Sequence, residues 1–245
     1  MNVEGSVALV TGANRGLGLE FARALRDAGA AKVYAGARDV SSVTEPGLVP
    51  IALDVTDPAA IAAAAEQAGD VSILVNNAGV GEAVPVLADD ALDRARNQME
   101  VNYFAPLALS RAFAPVLAAN GGGALVNMLS VASWLALPDL GTYPASKAAA
   151  WLLTNTLRTV LHEQGTLVVG VHAGFLDTDM AAAVPGPKLD PAEVARQTVA
   201  ALEAGDEEVL ADEVSRNVKA ALADDLGLLY PDVRAQYAAA VAAAR

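Results

Sequence analysis

The sequence predicts an α/β domain, a doubly wound parallel sheet of about seven strands followed by a helical C-terminal tail. Three observations predict it. Short apolar runs alternate with longer Ala/Leu-rich helical stretches along the chain. No linker rich in Gly, Pro or Ser divides the 245 residues and no internal repeat recurs, so residues 1–245 form a single domain. A glycine-rich turn joins the first strand to the first helix, where sheets of this kind hold ligands.

Residues 7–10 read as the first strand and 16–28 as the first helix. Segments 33–37 and 48–55 give the next two strands, after which Asp57 as N-cap and Pro58 in the first turn open an Ala-rich helix that Gly69 ends. Residues 71–75 form a fourth strand. The stretch 89–119 is long enough for one extended helix, which Pro106 and Pro115 must kink or divide. A strand at 124–129, a helix from 144 to about 163, a strand at 167–172, a helix at 191–204 and a strand near 208–211 complete the alternation. Residues 212–245 are helical by composition, with a breaker at Tyr230-Pro231, and should pack as one or two short helices against the body.

Hydrophobic residues make up 54% and charged residues 18%, a globular composition. With no cysteine and only two histidines, His162 and His172, disulfides, thiolate metal sites and structural zinc are excluded. The net charge of −13 has the wrong sign for general affinity to nucleic acid or anionic membrane, so any phosphate must be caught locally. Residues 1–6 lack the basic and apolar regions of a signal peptide, which makes the cytoplasm the expected location. The uncharged stretch 112–138 is interrupted by Asn120, Gly121, Gly122 and Gly123. It reads as a helix end, a loop and a buried strand, not a bilayer crossing.

The glycine turn reads Thr11-Gly12-Ala13-Asn14-Arg15-Gly16-Leu17-Gly18. Glycine permits the tight turning and close approach that bring a pyrophosphate to unpaired amides at a helix N-terminus. Alone, such a loop fits an ordinary strand-to-helix turn equally well. Further along come Asn76-Asn77-Ala78-Gly79, then Asn102, then Ser130, then Tyr143-Pro144-Ala145-Ser146-Lys147. In this order and spacing the chain, over roughly residues 5–180, resembles the classical short-chain dehydrogenases/reductases. The resemblance implies a Rossmann-type fold, an NAD(P) cofactor, hydride transfer between nicotinamide and a carbonyl or alcohol, and a tetrad of Asn102, Ser130, Tyr143 and Lys147. It also implies that Lys147 holds the nicotinamide ribose and Asn102 a proton-relay water. Cofactor contacts are expected from Gly12, Asn14, Arg15, Gly16, Leu17 and Gly18, from Asp54 and Val55 at the adenine, from Asn77, Ala78 and Gly79, and from Gly174 and Thr178. One departure stands out: Ala173 precedes Gly174 where the family usually has proline.

The residues carry this chemistry on their own terms. Four apart on one helix, Tyr143 and Lys147 share a face. A free phenol, with a pKa near 10, is a poor acid–base catalyst at neutral pH, and a neighbouring ammonium together with the oxidised nicotinamide should lower it. Tyr143 can then donate a proton to a developing alkoxide or remove one in reverse. Ser130, at a strand's carboxyl end, can orient the substrate oxygen. Singly, each residue has a structural alternative: a solvated face for Tyr-x-x-x-Lys, a turn for Ser130, an amide bracing a kink for Asn102, strand-end packing for His172.

NADP(H) is expected ahead of NAD(H). The position about 20 residues beyond the glycine loop, where NAD-binding folds carry a carboxylate, is Ala37, and Arg38 follows it. Arg38 and Arg15 can meet a 2′-phosphate, with Asp39 as the rival if the strand runs one or two residues longer. The predicted substrate walls are Trp134, Leu135, Leu137, Phe175, Leu176 and Met180, beside a short lid at 179–189, which suits apolar, bulky or aromatic carbonyl compounds. Family members commonly assemble as homodimers or homotetramers, and that is expected here. The alternatives are an NAD(P)-binding sensor without significant turnover, against which the complete Ser130, Tyr143 and Lys147 set argues, and a dehalogenating relative, which would lack the glycine loop and carry arginine for lysine.

Overall fold

The computed structural model describes residues 1–243. Among them seven strands pair in parallel: β1 (Val7–Thr11), β2 (Lys32–Ala37), β3 (Val49–Ala52), β4 (Ile73–Asn76), β5 (Ala124–Met128), β6 (Leu167–His172) and β7 (Glu208–Leu210). Their spatial order is β3-β2-β1-β4-β5-β6-β7. It reverses between β1 and β4, whose carboxyl ends therefore open a crevice at the switch point of the sheet.

The crossovers are α1 (Gly16–Asp27), α2 (Pro58–Gln67), α3 (Ala91–Met99) running into α4 (Ala105–Ala119), α5 (Tyr143–Val160) and α6 (Pro191–Ala204). Alternation along the strands feeds both faces. Ala8, Val10, Val75, Val126 and Val171 pack with Phe21 and Leu25 of α1 and Leu202 of α6. Their neighbours Leu9, Leu74, Leu125 and Val168 pack with Ile61 of α2, Phe113 and Leu117 of α4 and Leu157 of α5. A one-residue slip of any central strand would exchange the two sets, and each large side chain so buried contributes about 1.5–3 kcal/mol.

Several boundaries differ from expectation; the helix read to about 163 ends at Val160. β3 is shorter because the Asp54 side chain accepts from the Thr56 backbone and hydroxyl, turning the chain out of the sheet. β4 begins two residues later because Val71 N–H closes a turn on Ala68. The long helix is neither one α-helix nor two separate ones: a π turn, Glu100–Phe104, joins α3 to α4 directly ahead of Pro106, and Pro115 lies within α4. Pro106 has no N–H to give the Asn102 carbonyl, which would be its α-helical acceptor.

The tail forms three helices where one or two were expected, α7 (Glu213–Ala221), the one-turn α8 (Asp225–Leu228) and α9 (Tyr230–Ala243), and Tyr230-Pro231 opens the last instead of breaking it, since proline is tolerated in a first turn. Through Val218, Leu222 and Leu229 the tail joins Val131, Trp134 and Trp151 in a third apolar cluster at the β7 side of the sheet. Among the described residues no helix is long and apolar enough to cross a membrane.

Candidate active site

Thr11 joins the two loops that border the crevice. Its hydroxyl donates to Val75 O (3.2 Å) and accepts from the N–H groups of Asn77 and Ala78 (both 2.9 Å), while Asn77 Nδ2 donates to Thr11 O at 3.0 Å. At Gly18 a Cβ would lie 2.1 Å from Gly12 O and 2.6 Å from Asn77 Nδ2, so only glycine lets α1 come this close to the turn. Gly12 has φ +66°, a backbone that side chains resist. The N-terminus of α1 has no side-chain cap, as is also true of α3, α4 and α5, whereas Asp57, Asp190 and Asp212 cap α2, α6 and α7. An uncapped first turn reached only through glycine fits the pyrophosphate of a dinucleotide. The Leu17 side chain is buried in the first core layer, which leaves only its backbone at the turn.

Asn102 sits buried in the π turn. Its Oδ1 accepts from Val80 N at 2.9 Å, and its Nδ2 donates to Val80 O (2.8 Å) and to Ser146 Oγ (2.9 Å). Its carboxamide thus fixes the loop that carries Gly79 to the start of α5, where Ser146 Oγ in turn donates to Tyr143 O at 2.7 Å. Lys147 is buried on the next position of that helix, and its Nζ donates to Met128 O at 2.9 Å and lies 5.9 Å from the Tyr143 ring centroid. Ser130 follows β5 and caps the 3-10 turn Val131–Ser133, with its Oγ accepting from Ala132 N.

The titration of this set departs from expectation. Burial pushes the Tyr143 phenol up to about 12, opposed by its hydrogen bond with Ser130, and burial pushes Lys147 down to about 8. Without a cofactor, then, the lysine does not lower the phenol, because its ammonium is aimed at the Met128 carbonyl and both groups are desolvated.

After β6 the chain passes under the site. Ala173 O accepts from Val131 N (2.9 Å) and from Ser130 Oγ (3.4 Å), and Gly174 N donates to Asp212 Oδ2 at 2.7 Å. Thr178 lies against Gly16, 3.6 Å from where its Cβ would be. The segment 179–189 is pinned at its base by Leu189 N to Phe175 O and Asp177 N to Leu189 O. Met180 reaches in from that loop, its sulfur and the Tyr143 ring both bordering Gly81. Of the expected substrate walls, Phe175 and Met180 are exposed, at 41% and 58%, and Leu137 is half-buried. Trp134 is buried instead, stacked on His172 at 3.8 Å and packed edge-on to Trp151 in the third cluster. Leu135 goes with it, and Leu176 packs on the first core layer.

At the far end of the crevice β2 stops at Ala37, and Arg38 is exposed without an ion pair among the described residues. Asp39 turns away. Its carboxylate accepts from Ser41 N (2.9 Å) and Ser41 Oγ (2.7 Å), capping the turn Val40–Ser42. Asp54 is near enough to Arg38 to be lowered by its charge, though chiefly by its bonds with Thr56, and Val55 packs on the second core layer. Arg15 pairs with Asp179 at 2.7 Å, and Asn14 is half-buried beside it.

Residues 6–188 match the family described as short chain dehydrogenase. The chain belongs to the short-chain dehydrogenases. A short-chain dehydrogenase from Burkholderia cenocepacia, solved in complex with NADP, is 41% identical and superposes with a TM-score of 0.90, covering 95% of this chain and 99% of that one. The short chain dehydrogenase tazN of Aspergillus terreus is 33% identical over 78% of this chain, and the bovine dehydrogenase/reductase SDR family member 7B is 31% identical over 73%. The chain spans 45% and 60% of the length of those two relatives.

Two supporting residues of this dehydrogenase escaped the sequence reading, while His172 packs at the end of a strand as read. Thr11 was legible only as the start of the glycine turn, and Asp212 only as a tail residue ahead of a helix. His172 is fully buried at the end of β6. Burial pushes its imidazole down to about 4; the Ser130 carbonyl and Glu208 act upward, Lys219 and Arg158 downward. Above pH 6.5 neither the folded nor the unfolded chain protonates this group. Between 6.5 and 4 only the unfolded chain does, so stability is lost as pH falls, by about 2 kcal/mol at pH 5. Urea midpoints should drop between pH 6.5 and 5 in the natural chain and much less in His172→Phe; equal drops would show that His172 titrates normally.

Proposed function

We propose that this short-chain dehydrogenase is an NADPH-preferring oxidoreductase that interconverts apolar or bulky ketones or aldehydes with their alcohols, acting in the cytoplasm as a homodimer or homotetramer. One observation carries the reading: Ser130, Tyr143 and Lys147 converge beside a cradle that only glycine backbone can form. The NADP complex of the Burkholderia cenocepacia relative supports the cofactor.

A dinucleotide held by its pyrophosphate at the glycine turn would supply, from its reduced nicotinamide, a hydride for the carbonyl carbon. Ser130 Oγ, at the end of β5, orients the carbonyl oxygen beside Tyr143. Burial keeps the Tyr143 phenol protonated through the neutral range, so it has a proton to deliver as charge grows on that oxygen. Lys147, charged below about pH 8, stands over the ring to stabilise the phenolate that remains. In reverse, phenolate takes the alcohol proton. The Asn102 carboxamide is spent on Val80 and Ser146, so the Asn102 carbonyl that Pro106 cannot serve is the group offered to a relay water.

The exposed Phe175 and Met180, the latter sharing the Gly81 border with the Tyr143 ring, favour apolar substrates. In a panel run with NADPH, aromatic and bulky aliphatic ketones and aldehydes should be reduced over a broad range, with small charged keto acids turned over poorly. Strict preference for a charged keto acid would overturn the substrate class.

A further inference from the structure

Behind Ser130 lies a buried polar group that the reaction itself does not use. His172 ends β6 with 0% exposure, and its Nδ1 stands 3.0 Å from Ser130 O. A carbonyl can only accept, so Nδ1 carries the hydrogen. The other nitrogen, Nε2, is buried with no hydrogen-bond partner and lies 3.9 Å from Glu208 Oε1, beyond bonding reach. The imidazole is therefore neutral and held in one tautomer.

Its ring cannot turn freely. Trp134, the residue that follows the serine turn, stacks on it at 3.8 Å with an interplanar angle of 18°. Lys219 of α7 lies 4.8 Å from the Trp134 ring and pairs with Glu208 of β7 at 2.7 Å. The Ser130 carbonyl also takes Ser133 N–H at 3.0 Å, so both of its acceptor positions are used, and the neighbouring Ala173 carbonyl receives Val131 N–H. The turn that aims Ser130 Oγ is thus fastened at two consecutive residues, the last of β6 and the one after it.

We propose that His172 is a positioning residue for Ser130: its Nδ1–H fixes the serine turn from behind and ties it, through the Trp134 stack, to β7 and α7. The inference rests on the reading that Ser130 holds the substrate oxygen. A histidine that merely fills the core would contribute its ring and nothing more, and two variants separate these roles. His172→Phe keeps a ring against Trp134 and removes the donor. His172→Asn removes the ring and keeps an N–H donor near the position of Nδ1.

With purified full-length enzyme, His172→Phe should lower kcat for carbonyl reduction by roughly 5- to 100-fold, the range for a buried acceptor left without its partner, with NADPH Kd unchanged. His172→Asn should recover most of that loss. Phe equal to the natural enzyme, or Asn as impaired as Phe, overturns the proposal. Should the Phe variant fail to fold, nitrogen-15 spectra of the natural protein decide, since only two histidines contribute. One must be neutral with its proton on Nδ1 and fail to titrate near pH 6.5; a proton on Nε2, or ordinary titration of both, overturns it. Absence of turnover by the natural enzyme with every carbonyl compound would instead sink the proposed function and leave the tautomer result standing.

Discussion

Tyr143→Phe should reduce kcat for carbonyl reduction by roughly 10² to 10⁴ while NADPH binds within a few-fold of its normal affinity. The substitution deletes one hydroxyl from a ring whose edge borders Gly81 and leaves α5 unchanged. What disappears is the proton. Burial holds the phenol up near 12, so at neutral pH nearly every molecule has that proton ready for reduction, and the phenolate needed for alcohol oxidation grows tenfold with each pH unit below the pKa. Reduction by the natural enzyme should accordingly be level from about pH 6 to 8, and oxidation should climb across the same interval, a climb absent in the residual activity of the Phe variant. A Phe variant that keeps most of its kcat would remove Tyr143 from the role of acid.

Arg38→Ala should weaken NADPH by roughly 10- to 150-fold and leave NADH nearly untouched, the factor that follows from one charge-assisted hydrogen bond. The chain carries a net charge of −13, so a 2′-phosphate meets general repulsion and must be held by a particular cation. Arg38 stands exposed just past the end of β2, and the rival carboxylate of Asp39 is committed to Ser41. Arg15 is less available, because its guanidinium already meets Asp179; with side chains 72% and 81% exposed that pair is weak, and it must open for Arg15 to take part. Dissociation constants for both cofactors, measured on Arg38→Ala, check this. Equal weakening of both, or a natural preference for NADH, would show that the ribose lies elsewhere.

The strands along the chain and the helix placement were legible because each element carried its own period and stop signal: Asp57-Pro58 opens α2 and caps it, as read. The motif residues were legible because backbone constraint ties residue type to position. Gly18 is the clearest case, since no other residue fits against Gly12. What escaped was long-range. Nothing in a tryptophan four residues past a motif serine says that it will stack on a histidine 38 positions later, so Trp134 looked like a cleft wall. The π turn escaped too. A proline in a helical run predicts a kink, while the insertion of one residue ahead of Pro106 depends on Asn102 finding Val80 and Ser146.

Asp212 gives the fold a particular order of completion on the ribosome. Its carboxylate holds Gly174 N–H with one oxygen and Ser215 N–H with the other, both at 2.7 Å. The loop leaving β6 is therefore secured only after residues some forty positions downstream have been synthesised and have begun α7. Until then a nascent chain can possess its glycine turn, its tyrosine and its lysine and still lack the brace beneath them, so cofactor-dependent turnover should switch on late in translation, after the sheet has gained its last strand.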